Sequence, residues 1–138
     1  MIKPLFKDLR KNYKTESTQI HTCSMHFPNT CAIRMSEALA NTMPDLLATF
    51  KKSTKNKCPH GYLRGAQDLA SVLAQPYVFG SRSLGWGGND NAEAPKNVIG
   101  KKGIICYMNI PGFDGQGHID LWDNDMAVGD DYWDAKTI

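Results

Sequence analysis

The sequence predicts an α+β fold, with helices in the first half packed on a C-terminal antiparallel sheet, and three observations predict it. Apolar residues recur at helical spacing as far as Gln75, and short β-prone apolar runs begin after Gly103. A stretch rich in Gly, Asn and Pro lies between them. A length of 138 residues sets a single domain over 1–138 with one core. With 41% hydrophobic and 22% charged residues, the composition is that of an ordinary globular protein, which excludes disordered, collagenous and membrane classes.

The elements follow in chain order. Phe6, Leu9 and Tyr13 lie at helical spacing and predict a short amphipathic helix over Pro4 to Tyr13, followed by a polar stretch from Lys14 to Gln19. Ala32, Met35, Leu39 and Met43 fall on one face of a second helix. Asn29 or Thr30 is its expected N-cap, because a short polar side chain accepts from unpaired first-turn amides, and Cys31 then occupies the first turn. Lys51 to Lys57 reads as a basic connection to a helix over Gly61 to Gln75, which Pro76 ends. Gly80 to Gly100 reads as a long loop. Ile104 to Ile110 and Gly117 to Trp122 are neighbouring strands, Asp123-Asn124-Asp125 is a turn, and Asp131 to Lys136 is expected to supply a third strand.

The same layout suggests chemistry. A thiol in the first turn of a helix faces unpaired backbone N–H groups and the positive end of the helix dipole, which favour a thiolate and can hold the oxyanion formed when it attacks a carbonyl. Cys31 is therefore the candidate nucleophile, set against the commoner fate of a free cysteine as a small core residue. Cys23 is its rival but has a proline between it and the helix start, so it lacks the dipole argument and could instead pair with Cys58, which beside Pro59 in a basic loop is exposed or disulfide-linked. Cys106, within an apolar strand, is expected in the core. His118 is the candidate base, since a strand holds it more rigidly than the loops that carry His21, His26 and His60. A carboxylate should orient the imidazole. Asp120 shares a strand face with His118 through the period of two, whereas Asp130 and Asp131 begin the next predicted strand; the residues alone leave that choice open. Trp86, Trp122 and Trp133 are candidates for a substrate groove or for the core.

Two blocks, Asn29-Thr30-Cys31-Ala32-Ile33-Arg34-Met35-Ser36 and Gly117-His118-Ile119-Asp120-Leu121-Trp122, resemble the signature blocks of the type VI secretion amidase effectors, most closely the fourth family. Gly61 to Leu73 is similar to that family's middle helix, and Gly100 to Ile105 to the start of its first strand. The resemblance implies a papain-like, NlpC/P60-type fold and hydrolysis of the bond between D-glutamate and meso-diaminopimelate in peptidoglycan peptide stems. By motif it makes Cys31 the nucleophile, His118 the base and Asp130, one strand and turn later, the third residue; the cysteines that the family leads one to expect around that region are missing from this sequence, which excludes a disulfide in the last loop. It also implies delivery by the type VI machinery from the attacker's cytoplasm into the periplasm of a target cell, and a cognate immunity protein as partner.

No metal or organic cofactor is expected. A net charge of +2 is too weak a field to argue for nucleic acid, no secretory signal precedes the first helix, and no apolar run is long enough for membrane insertion. The alternative reading is a non-catalytic peptidoglycan-binding or interaction domain in which Cys31 is structural.

Overall fold

The computed structural model describes residues 1–14, 30–87 and 93–138. Among them are helices α1 (Phe6–Asn12), α2 (Cys31–Thr42), α3 (Asp45–Lys52) and α4 (Ala66–Leu73), then strands β1 (Lys101–Tyr107), β2 (His118–Asn124) and β3 (Met126–Ala127). The strands form an antiparallel sheet in the order β1-β2-β3. None of these helices is long and apolar enough to cross a membrane.

α2 is the central element. Cys31, Ala32, Ile33, Met35, Ser36, Glu37, Ala38, Leu39 and Ala40 are all buried, so this helix is covered nearly all round rather than along one stripe. Its small residues let α1 and the sheet come close. Of its buried polar groups, Ser36 Oγ accepts from the Leu63 amide at 3.2 Å and Glu37 Oε1 pairs with Lys14 at 2.7 Å, while Glu37 Oε2 has no hydrogen bond among the described residues. The ion pair, with the 2.9 Å bond from Asn12 Nδ2 to Thr42 Oγ1, fastens α1 along α2.

Strand alternation divides the apolar residues between the two faces of the sheet. Ile119 and Leu121 join the helical core with Leu9, Met35, Leu39, Phe50, Leu63 and Leu69. Ile105, Tyr107 and Trp122 face the other way and pack with Trp133, Ala135 and Ile138 of the C-terminal segment. The expected single core is thus two main clusters sharing one sheet. Trp122 and Trp133 are core residues, buried edge-to-face at 5.5 Å, and Trp86 closes on Trp133 at 5.6 Å.

Three expectations are corrected. The third strand is Met126–Ala127, not Asp131 to Lys136. The latter segment instead sinks Trp133 and Ala135 into the second cluster, and only Thr137 beyond it bridges Met108 and Gly87. Lys51 and Lys52 are not connection but the last turn of α3, where their charge complements the helix dipole as Asp45 does at the start. Residues 61–65 are not helical: Leu63 bridges Lys57, and α4 begins only at Ala66. Gly65, at its N-cap, offers no side chain, and Gln116 Oε1 accepts from the Asp68 amide at 2.8 Å instead. That bond ties the loop before His118 to a helix.

Candidate active site

Cys31 opens α2 and His118 opens β2, so both lie where elements begin and meet the same cavity of about 510 Å³. Tyr13, Thr30, Arg34, Phe113, Asp114, Gly129, Asp130 and Tyr132 complete its lining. Thr30 is the N-cap residue of α2, yet its hydroxyl makes no capping bond; the other expected cap, Asn29, is outside the described residues. Cys31 Sγ lies 3.8 Å from the Gly117 carbonyl and is hydrogen-bonded to the His118 side chain. Cys106 is half-buried rather than core, its thiol 3.7 Å from the Ala66 carbonyl, and burial together with the nearby Cys31 charge pushes its pKa up to about 12. Cys58 is buried and disulfide-bonded; its expected partner, Cys23, is outside the described residues, as are His21 and His26. His60 is exposed and stacks on Tyr62, with ring centroids 6.3 Å apart.

His118 is held from several sides. Tyr107, its cross-strand partner, stacks on the ring at 6.2 Å, and Tyr132 meets it edge-on at 5.3 Å. Nε2 bonds Asp120 Oδ2 at 2.9 Å, which leaves Nδ1 as the nitrogen that can serve the thiol. Asp120 is fully buried and accepts from Leu121 N at 2.7 Å through Oδ1, from Gly129 N at 2.8 Å through Oδ2, and from the Tyr13 side chain. A buried carboxylate so bonded can stand as an anion behind the imidazole.

Asp130, the residue expected by motif, sits on the exposed cavity rim, and Asp131 is exposed and not part of the lining. The carboxylate against His118 is Asp120. The physical reason is strand periodicity: residues two apart in β2 share a face, while Asp130 follows β3 in a loop. Tyr13, Arg34, Phe113 and Tyr132 were not anticipated as cavity residues. Arg34 had a readable signal, since a residue three after Cys31 on a helix lies on the same face; Tyr13 had none, because only tertiary folding brings α1 to the cavity.

Burial of His118 opposes its charging, but the hydrogen bonds to Asp120 and Cys31, with their negative charges, outweigh it and lift the pKa to about 9. The ring is thus an imidazolium at neutral pH. The sign of its linkage follows: because the folded value lies above the ordinary 6.5, the stabilisation is complete below that value and is lost as pH rises through about 9. Proton transfer to a leaving amine is lost over the same range, so kcat/KM should fall above pH about 9. Titration of the ring protons by NMR checks this; a midpoint at or below the unperturbed value contradicts it.

Helices packed on an antiparallel sheet, with a thiol at a helix start hydrogen-bonded to an imidazole at the start of a strand, form an α+β fold whose site has the groups needed to attack a carbonyl. Residues 27–138 match the model of the type VI secretion system (T6SS) amidase effector protein 4 family, Tae4, and the chain belongs to that family. It is an amidase that acts on peptidoglycan and is delivered to target cells as a type VI effector. Similar solved structures include the Tae4–Tai4 effector–immunity complex from Salmonella Typhimurium, at TM-score 0.69 and 20% identity over 99% of this chain and 96% of that one. The corresponding Enterobacter cloacae complex gives 0.69 and 19%, again covering 99% and 96%. Enterobacter cloacae Tae4 alone gives 0.65 and 18%, covering 99% and 94%. At such identities the likeness speaks for the fold. No curated protein matches the sequence.

Proposed function

We propose that the effector cuts the amide between the γ-carbonyl of D-glutamate and meso-diaminopimelate, with Cys31 as nucleophile, His118 as acid and base, and Asp120 as the group that orients His118. The observation that carries this reading is the chain Cys31–His118–Asp120, with 2.9 Å between Nε2 and a fully buried carboxylate. The Cys31 sulfur adds to the carbonyl carbon while backbone N–H groups of the first turn of α2, which have no intrahelical acceptor, stabilise the oxyanion. His118 gives its proton to the departing diaminopimelate amine, and a thioester to Cys31 remains. His118, now neutral, takes a proton from water as its oxygen attacks the thioester; a γ-carboxylate leaves and the thiol returns. The non-catalytic alternative finds no support in a thiol that opens onto a cavity beside an imidazole.

The substrate is met in the periplasm of the target cell, where the peptide stems are. An immunity protein like the Tai4 in the solved complexes of its relatives serves as the attacker's protection.

Digestion of purified diaminopimelate-type sacculi, with the fragments separated and their new amino groups labelled, tests the bond assignment. New amines are expected on diaminopimelate, with L-Ala-D-Glu ends bearing a free γ-carboxylate. New amines on D-alanine or on no residue would overturn it.

A further inference from the structure

The charges around the cavity are not mixed evenly. Arg34 is the one permanent cation among the described lining residues, and it stands on α2, one turn from the nucleophile. Asp114 and Asp130 also line the cavity, on the loops that precede β2 and follow β3. The guanidinium is half-buried, and its charge reaches the Tyr13 phenol inside the cavity, where it opposes the upward push of burial. A carboxylate entering this space therefore meets two aspartates that repel it and one cation that attracts it, and partial burial makes that pairing stronger than at an open surface.

Geometry adds the second requirement. Residues three apart on a helix have their Cβ atoms about 5–6 Å apart. In a γ-linked glutamyl donor the free α-carboxylate is separated from the scissile carbonyl only by Cγ, Cβ and Cα, a span close to one helical turn. A carbonyl seated on Cys31 thus leaves that carboxylate within the sweep of the long Arg34 side chain, whose planar guanidinium is suited to a carboxylate.

We infer that Arg34 is a specificity-determining residue that binds the free α-carboxylate of the γ-glutamyl residue, so that unamidated stems are cleaved in preference to stems whose α-carboxylate is an amide. This rests on the γ-glutamyl cleavage proposed above and adds what the enzyme requires beside that bond. Among α-linked peptides only those with glutamate before the scissile bond place a carboxylate at this distance from the carbonyl, so the same contact disfavours most protein substrates.

The test is a pair of synthetic tetrapeptides, L-Ala-γ-D-Glu-meso-diaminopimelate-D-Ala and the same molecule with the glutamate α-carboxylate converted to a carboxamide. The wild-type enzyme should prefer the acid by roughly 10- to 100-fold in kcat/KM, the range of a charge-assisted hydrogen bond. Arg34→Gln should bring the ratio close to one, chiefly by slowing cleavage of the acid, and Arg34→Lys should retain part of the preference. A wild-type ratio near one, or a ratio unchanged in Arg34→Gln, overturns the assignment while the amidase reading stands. Failure of the wild type to cleave either peptide overturns both. Since the wild-type ratio needs no variant, a poorly folded Arg34→Gln does not remove the test.

Discussion

Cys31→Ala is expected to lower peptidoglycan cleavage by at least about 10⁴-fold, the scale on which removal of a covalent nucleophile acts, with little change in thermal stability. The sulfur is buried at the edge of the helical cluster, and alanine at the first turn keeps the helix and leaves only a small gap. The measurement is muropeptide release by chromatography beside a thermal melt. Equal cleavage by wild type and variant would remove Cys31 from the mechanism. Asp120→Asn belongs in the same series. It keeps the shape of a side chain bonded to Gly129 N and Leu121 N, but an amide cannot supply the negative charge that holds the imidazolium. Its loss should be roughly 10²- to 10⁴-fold, with the alkaline limb displaced below about 9. Asp130→Asn, on the exposed rim, should change the rate by far less. The reverse order would transfer the orienting role to Asp130, where the family motif puts it.

The difference between those two aspartates shows where sequence reading is secure. Cys31 and His118 were legible because each stands at the start of an element announced by its own periodicity. The pairing of His118 with Asp120 was legible as a possibility, because alternation in a strand is a local rule; its selection required the burial of Asp120 and the Gly129 amide, which arrive from β3 and the turn after it. α3 was missed although Leu46 and Phe50 stand at helical spacing behind Pro44, since only two large apolar residues in eight mark its buried side. Asp131 to Lys136 was misread as a strand for the opposite reason. Tyr132, Trp133 and Ala135 are apolar because they fill the cavity wall and the second cluster, not because they pair in a ladder.

Gly117→Ala should be the most damaging substitution outside the reacting groups, at about 2–5 kcal/mol of stability and with activity lost beyond what unfolding explains. Gly117 has a φ of +115°, and a Cβ built on it would sit 2.0 Å from the Tyr107 carbonyl oxygen, a backbone atom that no rotamer change can move. Tyr107 pairs with His118 in the ladder. Relief of the overlap therefore requires the end of β1 to part from the start of β2, which shifts the imidazole, and with it the Gly117 carbonyl that lies 3.8 Å from the Cys31 sulfur. Gly112→Ala supplies the comparison. Its φ is +73°, so alanine is strained there too, but nothing lies within 4 Å of its Cβ. The excess loss at Gly117, read from paired urea melts, reports the collision between strands together with its more extreme φ. If the two variants unfold alike and Gly117→Ala retains full cleavage, the close packing of β1 on the His118 strand is not what sets the imidazole against the thiol.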